Sequence, residues 1–333
     1  MLIKPIVDTQ MMQEPQYICT IAQDMPTLAV VELSKVLSVP LESIRRKKEL
    51  VFIYAQADTI NIQRLACTHD VFQIVATFTK SQTPTLKQTY NDESYKVIFL
   101  DSSKKYNKTT TQSIYRACFQ SMKTPRVEMK KPAAIFAIVS DKSHICIAKR
   151  IFHNKEDFLK RNAHQRPKLH PSAMKPRFAR AMINLAGVKQ GTIYDPFCGT
   201  GGFIIEGIHL GLHMIGSDIS EKMLQSAKIN IAHENSTNTN FELHQESATT
   251  THITADAIVA DLPYGKNTKN ITQTLYKEFL THANKSKLST TFILCFPRIV
   301  DKLLKESGYT IEHRFRYYVH GSLTRYIYVL TAA

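Results

Sequence analysis

The chain has 333 residues, with 43 Lys+Arg against 28 Asp+Glu and a formal net charge of +15, which is too long for one ordinary domain and suits two or three. With 43% hydrophobic and 21% charged residues it can build packed cores, which excludes global disorder. Its 11 glycines divide it: none precedes Gly187, and eight fall between Gly187 and Gly216.

In chain order, residues 1–16 lack the apolar stretch and small-residue cleavage site of a signal peptide. The longest apolar runs, 133–139 and 292–296, are too short to cross a bilayer, so a cytoplasmic protein without membrane attachment is expected. Residues 17–22 read as a strand. Asp24 and Pro26 open a helix whose apolar face is Val30, Leu33, Val36 and Leu37. Arg45-Arg46-Lys47-Lys48 reads as the basic end of a helix-like segment. Strand 51–55, helix 60–67 and strand 72–78 complete a small α+β sandwich. A turn-rich boundary at 82–93 leads to strand 96–99, helix 110–122 and strands near 126–129, 133–140 and 144–149. Residues 155–170 form a polar connector.

Thereafter strands and helices alternate: helix 177–185, strand 192–195, helix 203–210, strand 213–218, helix 221–232, and strands 241–244 and 257–261. Helix 271–283, strand 290–295, helix 299–307 and a closing strand pair, 310–319 and 324–330, end the series. This order implies a mostly parallel sheet that binds ligands beyond the carboxyl ends of its strands.

The charge is concentrated. Residues 104–161 hold 14 basic and four acidic side chains, interleaved with Tyr115, Phe119, Ile135, Phe136, Ile138, Ile145 and Ile147. A folded surface of this kind points to a polyanionic partner. The six cysteines lack C-x-x-C spacing and read as buried thiols rather than a disulfide or zinc framework.

The chemistry-bearing motif is Asp195-Pro196-Phe197-Cys198-Gly199-Thr200-Gly201-Gly202, which leaves a strand and enters a helix. Its glycines allow a tight turn and close approach of a ligand, while amides at the helix start can meet an anion. It is neither G-x-G-x-x-G nor a phosphate loop, since no Lys-Ser/Thr follows. Asp218 ends the next strand, 19 residues after Gly199, where an acid can accept ribose hydroxyls. Asp261-Leu262-Pro263-Tyr264-Gly265 ends the fourth strand of the series.

Together these motifs resemble class I S-adenosylmethionine-dependent methyltransferases of the amino-methylating group, whose signature is Asp/Asn-Pro-Pro-Tyr. Arg166-Pro167-x-x-His170-Pro171-x-x-Met174 and Ala179-Arg180-Ala181-x-x-Asn184-Leu185-Ala186 are similar to archaeal tRNA guanosine-10 N2-methyltransferases. So, more faintly, are Met25-Pro26-x-Leu28-Ala29-x-x-Glu32 and Arg64-Leu65-Ala66. The resemblance implies an α/β fold: a Rossmann-like class I methyltransferase domain at 171–333, with a mostly parallel seven-stranded sheet whose last strand is antiparallel. It implies α+β modules in front: a ferredoxin-like domain at 1–82, a THUMP RNA-binding domain at 83–152 and a linker at 153–170.

The implied cofactor is S-adenosylmethionine. It would be held by Asp195, Cys198, Gly199, Thr200, Gly201, Asp218, Ile219 as an apolar lid, and Glu246 and Ser247 near the adenine. The implied catalytic residues are Asp261, Leu262, Pro263 and Tyr264, with no metal. An exocyclic guanine amine is a poor nucleophile because its lone pair is delocalised into the ring. Acceptance of its two N–H bonds by the Asp261 carboxylate and the Leu262 carbonyl would aim that lone pair at the methyl, with Tyr264 stacked on the base.

Two departures stand out. Leu262 replaces the usual proline, and Ser247 stands where the family offers an Asp. The expected partner is tRNA, bound by a monomer or weak oligomer, with the need for a small activating protein left open. His170 is a further candidate for the mouth of the site, and Lys175, Arg177 and Arg180 are candidates for touching a substrate phosphate or the cofactor carboxylate. The rival readings are methylation of rRNA guanine, DNA adenine or protein glutamine, and a catalytically decayed RNA-binding protein.

Overall fold

The structure, a computed structural model, describes residues 14–101, 106–141, 144–171, 173–234, 240–264, 269–321 and 323–332. In chain order the elements are β1 (Tyr17–Ile21), α1 (Pro26–Leu37), β2 (Ile44–Lys47), β3 (Leu50–Ile53), β4 (Thr68–Thr79), β5 (Tyr95–Phe99), α2 (Lys108–Gln120), β6 (Ala134–Asp141) and β7 (His144–His153). There follow α3 (Pro176–Leu185), β8 (Thr192–Asp195), α4 (Gly202–His209), β9 (His213–Asp218), α5 (Glu221–His233), β10 (Phe241–Gln245), β11 (Ala257–Asp261), α6 (Lys269–Lys285), β12 (Thr291–Phe296), α7 (Asp301–Glu306), β13 (Tyr309–His320) and β14 (Leu323–Ala332). They form two compact units. No helix among the described residues is long and apolar enough to cross a membrane.

The first unit is built on one seven-stranded sheet, β2-β3-β1-β4-β7-β6-β5, antiparallel except for the β5–β6 pair. Its two-residue periodicity sends alternate side chains to opposite faces. Phe136 and Ile138 join a cluster with Tyr95, Ile114 of α2 and Cys118, whereas Ala137 and Val139 join Ile18, Phe52 and Phe72. Because β4 pairs with β1 on one side and β7 on the other, the sheet runs unbroken past the boundary expected after residue 82. Helix α2 begins where Asn107 Oδ1 accepts the Thr110 N–H at 2.7 Å. It buries Ile114, Ala117 and Cys118 and leaves Tyr115 and Phe119 about half exposed.

Three local expectations differ from what forms. The basic run at 45–48 is not a helix end: Ile44–Lys47 is an exposed edge strand, and Lys48, at φ 56°, turns the chain into β3. Lysine and arginine on an edge discourage unwanted pairing. Residues 126–129 make only a bridge, Tyr95 to Val127, where Pro125 breaks regular pairing. The helix expected at 60–67 is reduced to a 3-10 turn at Ile62–Arg64, because a distant carboxylate takes its amides. Glu32 of α1, fully buried, accepts the N–H groups of Ala66 (2.8 Å) and Cys67 (2.9 Å) and the Asn184 amide of α3 (2.7 Å).

The second unit comprises Asp24–Ser38, Thr59–Cys67 and Lys155–Ala333. Its sheet is ordered β10-β9-β8-β11-β12-β14-β13. The first five of these strands are parallel, and β14 alone runs against them, between β12 and β13. This is the expected Rossmann-like arrangement with its last strand antiparallel. Tyr194, Ile258, Phe292, Leu294 and Tyr328 form its core with Tyr276 and Phe279 of α6. Strand order reverses between β8 and β11, which opens a crevice beyond their carboxyl ends.

Candidate active site

The loop leaving β8 is held open by hydrogen bonds that follow from its glycines. Gly199 (φ +51°) and Gly201 (φ +84°) adopt the left-handed region. The Gly201 N–H donates to the Cys198 carbonyl at 2.8 Å, and the Cys198 N–H to the Ser217 carbonyl at 2.9 Å. Among the described residues a Cβ on Gly199 would meet only the Phe197 carbonyl, at 3.9 Å, which leaves room for a ligand on its outer side. At Gly201 the added carbon would press Ala227 of α5 at 3.2 Å, which fixes how closely the loop seats on that helix. Thr200 and Cys198 are buried beneath the turn.

Asp218 closes the other side. Its Oδ2 accepts the Gly199 N–H at 3.1 Å and its Oδ1 the Ser220 N–H at 2.9 Å. Beside it Ile219 is 73% exposed, an apolar side chain in water at the rim of the crevice. Glu246, at the end of β10, donates its N–H to the Asp218 carbonyl at 3.3 Å and so stands at the same rim. The Ser247 hydroxyl turns toward its own chain: it pairs with Thr249 Oγ1 at 2.9 Å and accepts the Thr249 N–H at 3.3 Å.

Three carboxylates converge here. Asp195, only 1% exposed, accepts the Phe197 N–H at 3.0 Å. Burial drives its carboxyl well above the ordinary range, and the neighbouring charges of Asp261 and Asp218 push it further. Such a set is costly alone and complements a cationic ligand.

At the end of β11, Asp261 is gripped from several sides. The Arg325 Nη2 of β14 donates to its Oδ2 at 2.8 Å, and the Tyr264 hydroxyl donates to its Oδ1. Arg325 Nε donates in turn to the Tyr264 oxygen at 2.8 Å, with the guanidinium 5.5 Å from the Tyr264 ring centre. Burial raises the Asp261 carboxyl above its ordinary value, while Arg325 and the Tyr264 bond pull it back. Tyr264, expected as a stacking platform, is thus held through its hydroxyl to the acid beside it. Leu262 is buried, and its N–H donates to the Cys295 carbonyl at 3.1 Å. The Pro263 carbonyl accepts the Tyr276 hydroxyl at 2.7 Å. The remaining motif residue, Gly265, lies outside the described residues.

Other sequence candidates are engaged elsewhere. Arg177 pairs with Asp24. Arg180 is buried against Glu206 (3.0 Å) and Glu156 (3.2 Å). Arg325, which grips Asp261, belongs to no motif and lies 64 residues downstream on a strand. Only its neighbours' need for a countercharge could have pointed to it.

Comparison with known proteins gives three kinds of match. A family model described as RMKL-like, methyltransferase domain covers residues 163–327, and one described as DNA methylase covers 33–229. The tRNA (guanine(10)-N2)-dimethyltransferase of Methanothermobacter thermautotrophicus is 34% identical over 215 residues, 62% of this chain and 63% of that protein. A protein of Methanothermococcus thermolithotrophicus named probable tRNA (guanine(10)-N2)-dimethyltransferase is 32% identical over 46% of this chain and 96% of its own length. The chain spans less than two thirds of the first curated relatives it matches, 63%, 64% and 59% of their lengths. Among solved structures, TrmN from Thermus thermophilus aligns over 96% of this chain and all of that one, with a TM-score of 0.50 and 18% identity, a likeness of fold.

Proposed function

Because the chain belongs to the tRNA (guanine(10)-N2)-methyltransferase family, we propose that it transfers one or two methyl groups to the N2 amine of a tRNA guanosine, at position 10. The observation that carries this reading is the placement of Asp261-Leu262-Pro263-Tyr264 across the strand-order reversal from the glycine loop after β8.

S-adenosylmethionine, when bound, supplies a methyl on a positively charged sulfur, which departs as a neutral thioether. The residues present fit it. Gly199 is open on its outer side among the described residues, Asp218 sets two carboxylate oxygens beside the loop, each with a lone pair beyond the one N–H it accepts, and Ile219 gives an exposed apolar surface beside them. The three carboxylates suit a cation, so Asp195, Cys198, Gly199, Thr200, Gly201 and Asp218 would hold the group, with Ile219, Glu246 and Ser247 at its rim.

On the substrate side, the Asp261 carboxylate and the Leu262 carbonyl accept the two amine N–H bonds. That withdraws the nitrogen lone pair from the ring and points it across the crevice. Methylation leaves the nitrogen with one proton too many, and Asp261, made more basic than an ordinary carboxylate by burial, would take it. Alignment of the two partners supplies much of the acceleration, on the order of 7–11 kcal/mol. A substrate base must displace the Tyr264 hydroxyl from Oδ1, which frees the ring to turn toward it.

The tRNA side rests on the first unit. Exposed Lys123, Arg126, Lys130 and Lys131 lie close in sequence to the half-exposed Tyr115 and Phe119 of α2, a mixture of charge and ring faces that suits RNA. Purified protein, tRNA and cofactor, followed by mass spectrometry of the nucleosides, should yield N2-methylated guanosine. Asp261→Ala should lower turnover by at least about 100-fold while tRNA binding persists. Unimpaired turnover in that variant defeats the assignment, and methylation of DNA adenine but not tRNA would favour the reading suggested by the DNA methylase match.

A further inference from the structure

The β13–β14 hairpin reaches past the sheet that carries it. Strand β12 pairs with β14 only as far as Tyr326, opposite Phe296, whereas β13 and β14 stay paired out to His320 and Leu323. Leu323, Thr324 and Arg325 therefore stand beyond the carboxyl edge of β12, about 10 Å of strand. A Cβ on Gly321, in the turn, would meet nothing within 4 Å among the described residues.

Paired residues share a face, and alternation divides this overhang into two sides. Tyr317, opposite Arg325, belongs to the side on which Arg325 holds Asp261. Arg314, Arg316 and Tyr318, opposite Tyr328, Tyr326 and Thr324, belong to the other side, which α6 and α7 cover. That cover ends at Arg314, which pairs with Asp301 of α7. Beyond it Arg316 is exposed and Tyr318 is 60% exposed.

The turn after β12 carries the same surface toward the Asp261–Tyr264 motif. The Tyr276 hydroxyl of α6 donates to the Pro263 carbonyl at 2.7 Å, and the Arg298 guanidinium lies 6.0 Å from the centre of the same ring. Next to it Ile299 is 53% exposed, just ahead of the Asp301 that holds Arg314. Among the described residues no carboxylate pairs with Arg298 or Arg316. Single exposed apolar side chains are ordinary. Here two of them share one end of a sheet with two arginines that lack a countercharge, and all four adjoin the motif.

Resting on the tRNA-methylation reading, we propose that Arg298, Ile299, Arg316 and Tyr318 bind the RNA strand beside the target guanosine, with Tyr318 stacked on a flanking base and the arginines on the phosphates between. A base drawn out to reach Asp261 leaves its neighbours without a stacking partner. An exposed ring beside free guanidinium groups offers such a neighbour both a face and a charge. Strand β13 is the third strand across from β11, so Tyr318 stands about 14 Å from the line of Asp261. That is too far to touch the target base and suits the next nucleotide. The surface is separate from the basic residues of the first unit, because it belongs to the unit that carries the motif.

The test combines changes in protein and RNA. The full chain is given a synthetic tRNA that carries the target guanosine, and copies of it with an abasic residue at each of the two positions on either side. Tyr318→Ala should lower kcat/KM on the intact tRNA by about 5- to 100-fold, the range for loss of one stacked base, and Tyr318→Phe by less than about threefold. At one flanking position the abasic tRNA should cost the wild-type protein a similar factor and cost Tyr318→Ala nothing further. Arg316→Ala should flatten the slope of log affinity against log salt by about 0.7 to 0.9. Affinity for S-adenosylhomocysteine and the melting temperature should be those of the wild-type protein in both Tyr318→Ala and Arg316→Ala.

Full activity of Tyr318→Ala on the intact tRNA overturns the proposal. So do losses that multiply independently at all four abasic positions, and so does a lowered melting temperature in Tyr318→Ala, which would make the ring structural. If the wild-type protein leaves the intact tRNA unmethylated but acts on DNA or a glutamine peptide, the tRNA reading itself fails and takes this surface with it.

Discussion

Asp261 lies between two opposing influences. Burial lifts its carboxyl above the ordinary 3.8, and the Arg325 charge draws it down. On the methyl-transfer reading the chemistry needs the carboxylate, so activity should be present at neutral pH and be lost as pH falls through the raised value. Arg325→Met removes the downward pull, so the acid limb of the kcat profile should move to higher pH, by roughly one unit or more. An unmoved limb would show that Arg325 does not act through the acid. The motif at 261–264 made the acid legible because its residues are contiguous. Arg325 was not, since what defines it is a neighbour in space, a carboxylate 64 residues away.

Among elements, the glycine loop and helix α4 set the geometry on which the rest depends. Gly201 holds φ +84° with Ala227 of α5 3.2 Å from where its Cβ would be. Gly201→Ala should therefore cost about 1–2 kcal/mol of stability from the left-handed backbone alone, and should weaken S-adenosylhomocysteine binding. Denaturant melts and calorimetry check the two effects separately, and a variant with native stability and affinity would deny the loop its constraint. Most elements of the catalytic half could be read from the sequence, since periodicity and glycine turns are local signals. Residues 60–67 could not, because their amides are bound by Glu32, 34 and 35 residues upstream. Nor could β2, whose exposed Arg45, Arg46 and Lys47 show no apolar alternation. The motif residues Glu32, Arg64 and Asn184 prove to be one buried assembly. Arg64 donates to the Val188 (2.8 Å) and Lys189 (2.9 Å) carbonyls beyond α3, so the family-like positions of the N-terminal half brace the catalytic unit.

For the whole molecule, the net charge of +15 acquires a location. The tRNA reading predicts that alanine at Lys123, Arg126, Lys130 and Lys131 together will flatten the dependence of log affinity on log salt, by about one unit for each phosphate that is no longer neutralised. Affinity for S-adenosylhomocysteine should not change, because those four residues belong to the first unit and the glycine loop to the second. Filter binding of tRNA across a salt series decides the point, and a slope equal to that of the wild-type protein would remove this surface from the RNA interface.

Strand β14 follows every other strand of its sheet in the chain and yet fills an interior place between β12 and β13. During synthesis, Asp261 leaves the ribosome long before Arg325, and among the described residues no earlier arginine or lysine is paired with it. A nascent chain displaying the entire glycine loop would still lack the Arg325 contacts to Asp261 and Tyr264. On the methyl-transfer reading, the reaction centre would therefore be complete only once β14 has taken its place in the sheet.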